Sequence, residues 1–280
     1  MNNPLEDFYR SKEIYVKLPT QGRWYKNPPT LTGSGEIGVM PMTVKDELLL
    51  RIPDSLYNSE ALFLVLKSIA PDIVDPYEIS IPDVDSILIA SRAVTQNKEY
   101  NIAVKCPKCF EISDYSLNIP AMLSKLKTIN PDLEIEIKGL KLKLKPNTLA
   151  TLTASSIETV ETSKLKTIIA ETEKRGEFAK AKEMVEVSLQ RISAASMAVV
   201  ADMIESVTTP KGDVVTDFKD ILAWIQNLDK RSVDIIKKEG DHLNDNGIQK
   251  IHKFTCGNEN CSHEFETKVE FNPTFFFTPN

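Results

Sequence analysis

At 280 residues the chain can bury a core without disulfide help, and its length fits one large domain or two ordinary ones. Hydrophobic residues make up 41% and charged residues 26%, a globular balance that excludes wholesale disorder. A net charge of −6 argues against a dedicated duplex-nucleic-acid binder, and no apolar run approaches the roughly 18–20 residues of a membrane-spanning helix. The opening stretch MNNPLEDFYRSKE has no basic segment leading into an apolar one, so a soluble protein made in a reducing cytoplasm is expected.

In chain order, IYVKLPTQGRWYKNPP reads as an extended arm with turns and aromatics. Gly33–Gly38 formally matches G-x-G-x-x-G. It reads as a turn, because Pro28 and Pro29 stand upstream and the downstream residues are strand-like, whereas a dinucleotide fingerprint needs a strand before it and a helix opening within it. EIGVMPMTVKDELLL passes from a strand pattern to a helix pattern, with Thr43 as N-cap and Asp46 three residues on. Asn58–Ile69 and Val84–Val94 carry helical spacing, the second opening at Pro82 and Asp83. Ala121–Lys127 is a short helix or loop.

LEIEIKGLKLKLKP alternates on both sides of Lys138-Gly139. This predicts a β-hairpin with Leu133, Ile135 and Ile137 facing Leu140, Leu142 and Leu144, and with lysines on a solvated face. Asn147–Val207 reads as helical throughout, broken near Gly176. One apolar series runs Leu149, Leu152, Val160, Leu165, Ile168, and another runs Met184, Val187, Ile192, Met203. Thr216–Leu228 predicts an amphipathic helix with Trp224 inside, and Ser232–Glu239 a further short helix. The tail NPTFFFTPN sets three phenylalanines together near the chain end. They either fold back on the core or serve as a docking peptide.

The four cysteines fall into two close pairs, Cys106/Cys109 in KCPKC and Cys256/Cys261 in TCGNENC. Each pair lies between alternating, strand-like runs: Tyr100–Lys105 and ISDYSLNI around the first, His252–Thr255 and HEFETKVEF around the second. A short loop between two cysteines aims both sulfurs at one point, and zinc takes a tetrahedron of thiolates. The expectation is one structural Zn²⁺ held by Cys106, Cys109, Cys256 and Cys261 in a zinc ribbon split by a long insert. The alternatives are unmetallated thiols, or His252 or His263 replacing one cysteine.

No Walker A, H-E-x-x-H or G-x-S-x-G motif occurs, no histidine precedes the first cysteine pair as a zinc deaminase would require, and the carboxylates form no defensible pair. No catalytic residue and no enzyme activity are assigned. The expected fold class is α+β. A mixed α/β part with the first knuckle covers residues 1–118, the β-hairpin and helical insert 119–251, and the second knuckle with its aromatic tail 252–280.

The order LPTQGRWY, EIGVMPMTVKDELLL, CPKC, DYSLNI, a hairpin ending in KLKP, a helical block, TCGNENC and FNPTFFF resembles the baseplate protein family of T4-like tailed bacteriophages, which includes the baseplate hub assembly protein. The resemblance runs from about Leu18 to Phe277, with Met40 standing before Pro41 where the pattern carries Arg. It implies a non-enzymatic part or assembly factor of a contractile-tail baseplate or hub. Such a protein would work in the host cytoplasm during assembly or in the virion tail. Its partners would be other tail proteins, with neither nucleic acid nor membrane insertion. Trp24 and Tyr25 in the arm, and Phe275, Phe276 and Phe277 in the tail, are the candidate partner-binding residues. The other reading is a zinc-ribbon nucleic-acid-binding or transcription-associated protein, with Lys105 and Lys108 at the first knuckle.

Overall fold

Local capping and turn chemistry set most element boundaries in the structure, a computed structural model that describes residues 3–51, 60–96 and 98–269. Strands β1 (Ile14–Lys17) and β2 (Glu36–Val39) pair antiparallel, and the G-x-G-x-x-G stretch between them is a turn in which Gly35 donates to Thr32. Helix α1 (Val44–Leu50) opens on a capping box, with Thr43 accepting from the Asp46 N–H while Asp46 accepts from Thr43. Helices α2 (Glu60–Ile69) and α3 (Ile81–Thr95) follow. Together with β1 and β2 they build a first core around Leu18, Ile37, Leu66, Ile69, Ile87 and Ile89.

Beyond α3 come the hairpin β3 (Glu99–Lys105) and β4 (Ile112–Asn118) and the short helix α4 (Ile119–Ser124). The chain then enters a second core. Strands β5 (Glu134–Ile137) and β6 (Leu140–Leu144) meet at Lys138 and Gly139, both at positive φ (52° and 79°), the turn that matches strand twist in a two-residue hairpin. Helices α5 (Leu149–Lys174) and α6 (Phe178–Asp202) form a long antiparallel pair broken at Gly176, φ 81°. Arg191 joins them through Glu158 and Glu161. Length and composition alone would let Phe178–Asp202 cross a membrane.

The helical reading of Asn147–Val207 needs correcting at its end. Ile204–Thr208 is strand β7, which pairs with β6 so that Val207 stands opposite Leu142. Ile168 and Val187, expected on apolar faces, are exposed, and Trp224 is half-buried. Strand β8 (Val214–Val215) completes the order β5-β6-β7-β8. Helices α7 (Phe218–Gln226) and α8 (Lys230–Asn244) are capped by Asp217 and Asp229, and they cover that sheet with Ile221, Ile225, Ile236 and Leu243. The last hairpin is β9 (Ile251–Thr255) and β10 (Glu264–Lys268).

Two polar contacts tie the cores together. After β6, Asn147 is fully buried and exchanges hydrogen bonds with Asn244 of α8 at 2.8 and 2.7 Å, while Asp202 accepts from the Thr148 N–H. The arm Leu18–Tyr25 is the second tie. The Trp24 backbone, at φ 65°, sends the Trp24 ring against the second core and the next side chain, Tyr25, into the first. There the fully buried Asp83 accepts from the Thr20 N–H (3.0 Å), the Thr20 hydroxyl and the Tyr25 hydroxyl (2.7 Å). Burial without a cation raises the Asp83 carboxyl to about 6, despite those three donors.

Candidate metal centre

The insert between β4 and β9 brings the chain back so that the two cysteine hairpins lie side by side. They are separate two-stranded sheets, joined by side chains. Their inner faces meet through Tyr115 and Phe254, ring centroids 4.7 Å apart, and the Tyr115 hydroxyl donates to the Thr255 carbonyl at 2.8 Å. Phe254 and Leu117 belong to the first core, which fixes the hairpins on the body.

At the hairpin ends all four Sγ atoms lie within 4.8 Å of one another, and those of Cys109 and Cys256 are 3.5 Å apart. Four metal–sulfur bonds of about 2.3 Å in a tetrahedron would place the sulfurs about 3.8 Å apart, so the donor set fits a single ion. Among the described residues no other set of three or more His, Cys, Asp or Glu side chains converges in this way, and neither His252 nor His263 joins the sulfurs. His252 instead contacts the Gln249 carbonyl, and His263 stacks on Phe265.

The two knuckles share a build despite their different spacing. In the first, the Cys106 N–H donates to Glu111 and the Phe110 N–H to Cys106; in the second, the Cys256 N–H donates to His263 and the Cys261 N–H to Asn258. The residue after each second cysteine, Phe110 (φ 63°) and Ser262 (φ 42°), turns the chain through left-handed backbone. Asn258 donates its amide to Glu111, linking the knuckles outside the sulfurs. Gly257 eases their approach, since a Cβ there would come within 2.8 Å of the Ser113 hydroxyl oxygen.

The electrostatics oppose full ionisation of the four sulfurs unless a cation lies among them. At Cys106, burial opposes ionisation, but N–H groups of Cys109 and Lys108 and the neighbouring sulfurs bring the thiol down to about 7. At Cys256 the Asn258 N–H favours the thiolate, yet burial and the three other sulfurs outweigh it and push the thiol up to about 12. Burial likewise pushes Cys261 up. Four sulfurs so close repel one another as thiolates, and a divalent ion between them reverses that penalty. A set closed by four protein ligands has no open coordination position, so its role would be structural.

The candidate contact residues lie elsewhere. Trp24 is half-buried, and Phe275, Phe276 and Phe277 fall outside the described residues. Tyr25, the other candidate contact in the arm, has its ring buried in the first core and donates its hydroxyl to Asp83. Sequence reasoning missed the links between the knuckles. Gly257 beside a cysteine was the available signal for close approach, whereas Tyr115 and Asn258 carry no pattern that announces their partners.

No curated protein and no solved structure matches the chain. A family model described as T4 bacteriophage base plate protein matches residues 12–277, nearly the whole chain. On that match, the chain belongs to the T4 bacteriophage base plate protein family.

Proposed function

We propose that this protein is a non-enzymatic structural or assembly component of a contractile-tail baseplate or hub, acting through contacts with other tail proteins and stapled by one structural Zn²⁺. The family match over residues 12–277 carries the reading. The cysteine geometry supports the metal: Cys106, Cys109, Cys256 and Cys261 would hold it as a closed thiolate set, in a ribbon split by the insert. The ion would supply a cross-link between hairpins distant in sequence. Trp24 and the tail phenylalanines Phe275, Phe276 and Phe277 are the proposed partner contacts, the aromatic type that anchors interfaces. The chain would act in the host cytoplasm during assembly and remain in, or leave from, the tail baseplate.

The test is affinity purification of the tagged full chain from phage-infected cells, with mass spectrometry of what is recovered. Baseplate or hub proteins are the expected outcome. RNA polymerase subunits or nuclease-sensitive nucleic acid would overturn the reading and favour a nucleic-acid-binding ribbon.

A further inference from the structure

The four sulfurs are not equally placed. Cys106 and Cys256 are buried, Cys261 is partly exposed and Cys109 is exposed. Cys109 and Cys256, one from each knuckle, bring their Sγ atoms to 3.5 Å. A disulfide needs about 2.05 Å between its sulfurs, so closing that gap takes a shift on the scale of a side-chain torsion change. Groups other than sulfur also hold the knuckles together. The Asn258 amide donates to Glu111 and the Tyr115 hydroxyl to the Thr255 carbonyl, while Leu117 and Phe254 seat the two hairpins on the first core. Loss of a bound ion would therefore leave Cys109 and Cys256 facing each other across the knuckle boundary.

A cation and an oxidant compete for the same sulfur lone pairs. Zinc holds thiolates and has no redox chemistry of its own, so released thiols become open to a second route to a cross-link. In the first step the Cys109 sulfur attacks a hydroperoxide: an S–O bond forms, the O–O bond breaks, and water leaves a sulfenic acid. In the second the Cys256 sulfur attacks the Cys109 sulfur: the S–S bond forms, the S–O bond breaks, and a second water leaves. Two thiols are oxidised and, with hydrogen peroxide, one peroxide is reduced to two waters. Cys109 takes the first step because solvent reaches it, and Cys256 the second because it is shielded from solvent yet lies against Cys109. The bond would join residues 147 positions apart. Long loops are where a cross-link restricts the unfolded chain most in the chain-entropy model, and a bond within one knuckle would leave the hairpins unjoined.

We infer that the four-sulfur centre is also an oxidation site: when its ion is lost, a hydroperoxide joins Cys109 to Cys256, and a covalent cross-link between the hairpins replaces the metal. The ion that leaves rests on the metal reading given above; the pairing itself rests on the placement of the sulfurs. Coordination occupies the lone pair that attacks the peroxide, so a bound ion slows the reaction and its removal speeds it.

The experiment treats the zinc-loaded full chain, and the same chain stripped with a chelator, with one equivalent of hydrogen peroxide. Non-reducing peptide mapping, thiol counting and hydrogen exchange are then read. The stripped chain should form the Cys109–Cys256 bond at least tenfold faster than the loaded chain, with two thiols lost per peroxide. Exchange in β3, β4, β9 and β10 should slow at least tenfold relative to the stripped, reduced chain. Cys106→Ser/Cys261→Ser, which keeps only the proposed pair, should form the same bond; if that variant does not fold, the wild-type map decides. A bond between Cys106 and Cys109, between Cys256 and Cys261 or between two chains would overturn the inference. So would over-oxidised Cys109 with no bond, or a Cys109–Cys256 bond that leaves the hairpins exchanging as before. If the chain takes up no zinc yet forms the bond and gains protection, the oxidation site stands and the metal reading fails.

Discussion

The molecule holds β-hairpins in two different ways. The hairpin β5–β6 sits inside a four-stranded sheet, with Leu142 and Leu144 fully buried under α7 and α8. The cysteine hairpins β3–β4 and β9–β10 are two-stranded, expose their outer faces and converge at four sulfurs. An isolated two-stranded hairpin is marginal in water, so the cysteine pair needs either more burial or a cross-link. The contrast sets a sheet held by apolar burial on one face against two hairpins that rest on the first core through Leu117 and Phe254 and meet at four clustered sulfurs.

The largest effect that would break this contrast comes from removing a ligand. Cys256→Ser should abolish metal binding and raise local opening of β3, β4, β9 and β10 by at least about a thousandfold, roughly 4 kcal/mol, given the binding energies of structural zinc sites. Hydrogen exchange should show β6 and α8 still protected; equal loss across both lobes would erase the distinction. The converse change is Leu142→Ala. Emptying that fully buried site should cost about 2–5 kcal/mol in the β5–β8 lobe and leave the metal content unchanged.

The strap between the lobes offers a third test, because it hangs on a buried carboxyl. The folded pKa of Asp83, about 6, exceeds the unfolded value. Its contribution to stability is therefore fully present below about pH 4 and is lost as pH rises through about 6. Between pH 4 and 7 the wild type should lose about 2 kcal/mol relative to Asp83→Asn, read from denaturant midpoints at the two pH values. Parallel profiles for the two proteins would contradict it. The smallest expected effect is at Gly257→Ala, where the added methyl crowds Ser113 and should cost roughly 1–2 kcal/mol and weaken metal binding about tenfold in a competition titration. An unchanged affinity there would mean that the knuckles can move apart freely.

Much of this contrast is legible in the sequence, and the rest fails for physical reasons. The β5–β6 hairpin is plain from strict alternation around Lys138-Gly139, and the α1 cap from Thr43 with Asp46, because both signals are local. Cysteine spacing likewise announces two knuckles, since each loop aims its own pair. By contrast, Ile204–Thr208 follows directly on a helix and is too short for its period to decide; pairing with β6 makes it a strand. Tyr25 reads only as a candidate partner contact in the arm, and the left-handed turn at Trp24 that sends it to Asp83 leaves no mark in the local pattern. The convergence of the two knuckles across the long insert is expected from two strand–knuckle–strand runs of paired thiols, and the structure brings the four sulfurs together.

Metal analysis of the full chain, purified without added metal and without chelator, tests the staple most directly. The account predicts one zinc per chain, lost in Cys256→Ser, with the four thiols protected from alkylation until the ion is removed. A metal-free, stably folded protein whose four cysteines all react at once would contradict it.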